Sequence, residues 1–538
     1  MAEDYGSGAS EPVDGAARSL EDVTTAELMA LPPTSARPEW MVTRFPIEME
    51  EWQKLELAAR TADPAQAAME ALEDTTTPDQ DREVEALIDD PPEDEVANAP
   101  EIAAPGVSAS FDGIGQTAWQ PPDPTIAVGP HHVLVAVNTD LAGYTKTGTL
   151  RFRWANMTTL FSPVLPRGAS LFDPRLAYDH YAHRWIVVVD ARRASPAGSW
   201  IMVGVSQSSD PAGSYWVWAL DAALDGTTTT SNWADYSTLG FDTQAIYISS
   251  NMFKVGGGFQ YSKLRILNKA ELYAGGVGPG HSVRWYDFWN LKNPDGSLAF
   301  TIQPAVHFRG TGGNPPAYLV NALWPSGNKL TMWTLSNPLA LWSGGAPALA
   351  KTSVSCRSYD LPPSALQKGT TTRVATNDSR LLNAVYQNAG GTQRLWTCHT
   401  SKHTWSGDSE ARSVVQWYEI NVPTNAVVQQ NAYGGSGKYY FFPAIQTDLS
   451  RNAYVVFNRS SASEFVQVRQ TGRRVSDPAH DLQNSALVKA GVASYTGGRW
   501  GDYLGICRDG GDSSTVWMYG QYAGAGNTWA TRVCKVNF

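Results

Sequence analysis

From Asp123 onward the chain alternates short apolar runs with polar turns at the two-residue period of half-buried strands, and no stretch keeps helical spacing. Seven runs share a pattern: a short apolar strand that often starts at Asp or Pro, then a second run such as Trp185–Val189, Ala245–Ile248 or Ala453–Phe457. They begin at Asp123, Asp173, Asp235, Gln303, Asp378, Phe442 and Asp502, roughly 50 to 75 residues apart, the spacing of a repeat architecture. Trp-x-Asp-Tyr occurs twice, at Trp233–Tyr236 and Trp500–Tyr503. A lone four-stranded sheet exposes two faces and two edges, whereas radial stacking buries the faces and leaves short edges. The pattern therefore predicts an all-β, seven-bladed propeller over residues 105–538. About 36 residues follow Asp502, enough for three strands, so the alternating segment Val107–Phe111 is expected to supply the fourth and close the ring.

Residues 1–104 read differently, rich in Ala, Pro, Glu, Asp and Thr. Ile47 to Arg60 places Met49, Trp52, Leu55 and Leu57 near helical spacing; Ala65 to Leu72 follows a helix-start signal, and Asp81 to Ile88 is read as a further turn or two. Asp89 to Glu95 reads as linker. The whole is an acidic, partly helical arm. Either it is a solvated, disordered leader, or it docks on its own propeller or a neighbouring chain through the face that bears Trp52.

Charge sharpens this division. The net charge is −11, yet residues 1–101 hold 26 acidic against 6 basic side chains, a net of −20, and the remainder holds 26 against 35, a net of +9. Without a clustered basic stripe, nucleic acid is not an expected partner. No run of 18 apolar residues exists, so no membrane span is expected. The start lacks the basic and apolar regions of a secretory signal. Aromatics are 11% with 20 Trp and 22 Tyr, which suits rings packed between sheets. Among the four cysteines, Cys507 and Cys534 share the last repeat and are the first pair to consider as a disulfide, against the alternative of buried free thiols.

Several residues could carry chemistry. If each first strand is innermost, Asp123, Asp173, Asp235, Asp378 and Asp502 form a partial ring of carboxylates at one channel mouth. Such a ring binds a cation, with Ca²⁺ suited and Asp235 and Asp502 as its first ligands, or raises its own pKa values. Alternatively each Asp caps its own turn. Around the ring, Trp233, Trp500, Tyr236, Tyr503, Arg175, Arg184, Arg380 and Arg499 would make a mouth for sugars or anionic polymers, or else pack between blades. His180 and His183 read as turn residues, as does Asp509-Gly510-Gly511-Asp512. Zinc spacing, Gly-x-Ser-x-Gly, the P-loop and dinucleotide fingerprints are absent from the sequence.

The phrases Asp123–Pro130, Phe172–Arg175 with Arg184-Trp185, Trp233–Tyr236 through Asn251–Phe253, and Arg499–Tyr503 resemble bacterial, mostly exported β-propeller proteins of poorly defined function, loosely allied to sialidase-like and BNR-repeat propellers. The resemblance covers about residues 105–538 and implies an extracellular or cell-surface location. The nearest match to an Asp box, Ser208 to Trp216, carries one extra residue, and such boxes stabilise turns. Three functions fit: a binding module for glycans or a protein partner, a glycan-active hydrolase or lyase, or a structural subunit of a larger assembly.

Overall fold

A computed structural model describes residues 5–19, 44–48, 50–51, 53–55, 84–86, 103–138, 140–154, 156–308 and 316–538. The chain is nearly all β, in a propeller arrangement of antiparallel sheets built from consecutive strands. Five sheets stand alone. Three are four-stranded and formed in sequence: residues 125–154, 303–359 and 438–489. A fourth joins Gly505–Arg508, Val516–Ala523 and Trp529–Asn537 to Gly106–Asp112, which lies antiparallel on Trp529–Asn537. The fifth, residues 170–221, gains a fifth strand from Ala16–Arg18.

The expectation of seven separate blades is corrected here, because the remaining strands, apart from two two-stranded ribbons (Leu224–Asp225 with Thr228–Thr229, and Ala365–Gln367 with Thr370–Val374), form one eleven-stranded sheet. It contains two antiparallel runs, 232–289 and 381–434, joined by Val306–Phe308, which lies parallel to a strand of each. The cause is local. Gln303–Pro304 pairs within its own sheet, Ala305 N still donates to Tyr318 O of that sheet at 2.9 Å, and the next three residues turn their backbone bonds to the neighbours.

Alternation explains the packing. In Trp185–Ala191 every residue is buried, because both faces of the sheet meet neighbouring sheets. Wholly buried Trp154, Trp185, Trp218, Trp285, Trp333, Trp396, Trp417, Trp500, Trp517 and Trp529 fill the space between sheets. The closing strand is held by Phe111, whose ring lies 5.2 Å from Tyr144 and 6.4 Å from Trp517.

The N-terminal region contributes to the sheets. Gly6–Ala9 pairs with Trp285–Trp289, and Val84–Ala86 pairs with Ala432–Gly434. The latter corrects the helical turn expected over Asp81 to Ile88: an open sheet edge offers backbone partners that a short isolated helix lacks. Residues 50–51 and 53–55 are helical, with Lys54 paired to Glu50 at 3.1 Å. Met49, Trp52, Leu57, Ala65 to Leu72 and the linker at Asp89 to Glu95 lie outside the described residues. Among the described residues, no helix is long and apolar enough to cross a membrane.

All four cysteines are free, which corrects the expected Cys507–Cys534 disulfide. Cys507 stands opposite Trp517 and Cys534 opposite Met518 on the strand between them. Successive residues of a strand face opposite sides, so the two thiols point away from each other. Burial pushes the Cys356 and Cys534 thiols up to about 12.

Candidate functional site

A recurrent backbone feature builds the site. Asp123, Asp173, Tyr236, Thr301, Asn377 and Phe442, each at or just ahead of an innermost strand, all have φ between 47° and 58°. Non-glycine residues occupy this region at a cost and persist only where surroundings fix them. Here a side chain from the preceding sheet does so. Asn138 accepts from Asp173 N at 2.8 Å, Asn251 from Thr301 N at 2.8 Å and Thr400 from Phe442 N at 3.0 Å. Asp190 accepts from Ser237 N at 3.0 Å, next to Tyr236, and Asp123 accepts from Asp502 N at 2.8 Å, tying the last sheet to the first.

Asp123, Asp173 and Asp502 therefore converge: one carboxylate oxygen of each lies within 4.8 Å of the others, and all three are buried. Each makes at least one bond across sheets, and Asp123 and Asp502 bond locally as well. Asp123 also accepts from Asn138 at 2.7 Å, Asp173 accepts from the backbone of Tyr236, and Asp502 accepts from Asn377 at 2.6 Å and Arg499 at 2.5 Å. Asp235 is half-buried beside this group, close enough to Asp173, Asp190 and Asp502 to feel their charge, but outside the converging trio. Asp378 is occupied otherwise, in a two-pronged pair with Arg380 at 2.7 and 2.8 Å and a bond from Trp324 at 2.9 Å.

The two Trp-x-Asp-Tyr copies meet here. Tyr236 and Tyr503 pack edge to face at 5.9 Å, and the Arg175 guanidinium lies 3.4 Å from the Tyr503 ring and 5.1 Å from that of Tyr236. Tyr236 donates to the Asp502 carbonyl and Tyr503 to that of Pro174. Arg380 lies 4.6 Å from the Tyr236 ring. Arg175 Nη2 and Arg499 Nε are buried without a hydrogen-bond partner.

Electrostatics follow from burial. Burial, then the charge of Asp502, raises Asp173 to about 6 against the offset of Arg175 and Arg499. Burial and then Asp173 raise Asp190 to about 7. Burial and neighbouring carboxylates push Asp123 and Asp235 well up. Burial acts on Asp502 too, but Arg499 and Arg380 outweigh it and hold this carboxyl below the usual range.

Other expected members lie elsewhere. Trp500 is wholly buried, donating to Asn458 at 2.9 Å, and offers no platform. Trp233 is also buried, but Arg192 stacks on it at 3.7 Å. Arg184 is at the far end of its strand, donating to Ala182 and His183 carbonyls, because the hairpin after Asp179 lies opposite the Asp173 end. His180 and His183 are in that hairpin; His180 stacks on Phe308 at 4.8 Å. Asp509 caps its own turn through Gly511 N and Asp512 N. Asn138, Asp190 and Asn377 are participants that the sequence reading omits. Asp190 had a signal, a lone carboxylate ending the apolar run Trp185–Val189.

Below the carboxyls, an axial cavity of about 90 Å³ is lined by Ile126, Arg175, Leu239, Gln303, Leu382, Ala444 and Leu504, among others. A second, of about 300 Å³, is lined by residues that include Tyr178, His180, Phe241, Phe308 and Arg508.

No protein-family model and no curated protein matches the chain. Solved structures do match. The sialidase of Trypanosoma rangeli, in complex with sialic acid, is 9% identical with a TM-score of 0.36, covering 76% of this chain and 59% of that one. A protein of unknown function from Dyadobacter fermentans is 7% identical with a TM-score of 0.34, covering 81% and 100%. An α-L-arabinofuranosidase of Fusarium graminearum, with arabinobiose, is 9% identical with a TM-score of 0.32, covering 69% and 95%. The chain thus spans 59% of the length of the sialidase. These scores carry no argument about this chain's activity; the propeller arrangement rests on its own strand pairing.

Proposed function

We propose that residues 105–538 form a seven-bladed propeller whose mouth binds an anionic or hydroxyl-rich saccharide, with residues 1–104 as an appended arm. The blade count treats the two antiparallel runs of the eleven-stranded sheet as two blades. Its support is the axial cavity, to which all seven recurrences contribute a lining residue. The observation that carries the ligand class is the pair of buried guanidinium donors without partners, Arg175 Nη2 and Arg499 Nε, both close enough to Asp173 to act on its charge. Unpaired buried donors are costly, and a carboxylate or ring of hydroxyls would satisfy them. The protein is read as an extracellular or cell-surface binding module. Titration of the intact protein with oligogalacturonate and sialyl-oligosaccharides tests this. Arg499→Gln is expected to weaken binding at least tenfold, on the scale of one charge-assisted hydrogen bond. No binding by the strap-opened variant described below, or equal binding by Arg499→Gln, would overturn it.

A second reading, a glycan-active enzyme, draws on Asp173. A carboxyl near pH 6 is placed for general acid work. The carboxyl spacing of under 4.8 Å is nearer the roughly 5 Å of a retaining hydrolase than the roughly 6.5–9.5 Å of an inverting one. Release of reducing ends from the bound oligosaccharide, abolished by Asp173→Asn, would favour this reading over simple binding.

A further inference from the structure

Described residues of the N-terminal region lie against side chains beside the site. The Arg44 carbonyl accepts from Arg380 Nη2 at 2.9 Å, and the Arg44 guanidinium lies 5.6 Å from the Trp233 ring. Phe45 is 6% exposed and packs with Leu361, Trp324, Ile47 and Leu55. Arg380, which reaches Phe45 on one side at 5.9 Å, reaches Tyr236 of the site on the other at 4.6 Å. The segment thus offers the mouth what a ligand would offer: a carbonyl acceptor for an arginine, and a group on an aromatic face.

We propose that the described N-terminal residues 44–48, 50–51 and 53–55 act as an autoinhibitory strap that closes the mouth and is displaced when a ligand reaches Arg175, Arg499 and Asp173. The inference rests on the mouth being the binding site. Two features make the strap displaceable rather than a permanent part of the core. First, its apolar anchor is small: Phe45 is buried, while Ile47 and Leu55 are only partly so. Second, the docked form sets like charges together. Arg44 and Arg192 approach the same indole, at 5.6 and 3.7 Å, beside half-buried Asp235, whose own carboxyl is pushed up by burial. Burial first, and Arg44 second, lower the Arg192 guanidinium to about 10. Removing the strap relieves the crowding and returns Trp233 and Arg380 to an incoming ligand.

The test is hydroxyl-radical footprinting with mass spectrometry on the full chain. Phe45→Asp is expected to raise oxidation of Trp233 and Trp324 several-fold, with Phe45→Leu close to the parent and wholly buried Trp500 unchanged in all three. Unchanged Trp233 and Trp324 in Phe45→Asp would overturn the strap. If Trp500 is also exposed, so that the fold has been lost, Arg44→Ala decides instead: a rise at Trp233 supports the strap and no rise overturns it. Oligogalacturonate affinity separates this idea from the saccharide reading. Binding at least tenfold tighter in Phe45→Asp than in the parent supports both. Footprint opening without any binding keeps the strap and removes the saccharide. Equal binding by parent and variant overturns the strap.

Discussion

Asp190→Asn isolates the cost of burying a carboxyl beside the mouth. Asp190 is fully buried, accepting from Ser237 N at 3.0 Å and Ser237 Oγ at 2.5 Å, and its pKa rises from 3.8 to about 7 through burial and then the charge of Asp173. The native state therefore holds this proton more tightly than the unfolded chain. Below about pH 4 both states are protonated and the group's contribution is fully present. Between about pH 4 and 7 the unfolded chain releases the proton and the native state keeps it, so stability falls by up to about 1.4 kcal/mol per pH unit. Above pH 7 the loss is complete, on the order of 4 kcal/mol for a shift of about three units. Asparagine never ionises, and its oxygen can still accept from Ser237 N. Urea unfolding of both proteins at half-unit steps from pH 4 to 8.5 measures the difference. The variant is expected to lie within about 1 kcal/mol of the parent at pH 4 and to gain on it by several kcal/mol by pH 8. Two stability curves that run parallel across this range would refute the argument, because they would show that Asp190 binds its proton no more tightly in the native state.

Asp123→Ala strands the buried Asp502 N–H and one of the two Asn138 Nδ2 protons (the other keeps the Pro121 carbonyl) at the seam between the last sheet and the first, and is expected to cost about 2–4 kcal/mol in urea unfolding. Ellman titration should find four thiols in denaturant, and slow reaction of Cys398 and Cys534 in the native protein, both wholly buried; fewer than four in denaturant would restore a disulfide.

Much of the strand order is legible in the sequence because an innermost strand that faces the axis must be short and apolar, and a turn must precede it. Asp123-Pro124, Asp173-Pro174 and Phe442-Pro443 mark such places, and each first residue adopts the left-handed backbone. What stays hidden depends on neighbours distant in sequence. Val306–Phe308 has no local sign that it will bridge two sheets, since its partners near Phe241 and Val385 come from elsewhere in the chain. The Trp-x-Asp-Tyr repeat correctly joins Tyr236 to Tyr503, yet its other residues diverge. Trp500 is sealed between sheets, and Asp235 and Asp502 differ in burial and partners. Arg184 sits near the site in sequence but beyond a hairpin from it in space. Asp190 is masked by the five apolar residues before it, and only the meeting with Ser237 gives it a role.

The same carboxyls fasten the sheets and shape the mouth, and this decides what kind of ligand they favour. Ca²⁺ takes about six to eight oxygens with lone pairs to give. Asp123 already receives a donor on each oxygen, Asp173 receives the Tyr236 backbone, and Asp502 Oδ1 receives Asn377 and Arg499. A cation would share these oxygens with the donors already on them and feel the nearby Arg175 and Arg499 charges. An anion meets the opposite situation. It would satisfy the unpartnered Arg175 Nη2 and Arg499 Nε and leave the seams between sheets intact; Asp502, held low by Arg499 and Arg380, opposes it most, since burial pushes the Asp123 and Asp235 carboxyls well up. Protonation of Asp173 near pH 6 removes a further negative charge. A mouth that looks from sequence like a ring of carboxylates thus also holds two guanidinium donors, Arg175 Nη2 and Arg499 Nε, among carboxyls already engaged at the seams between sheets.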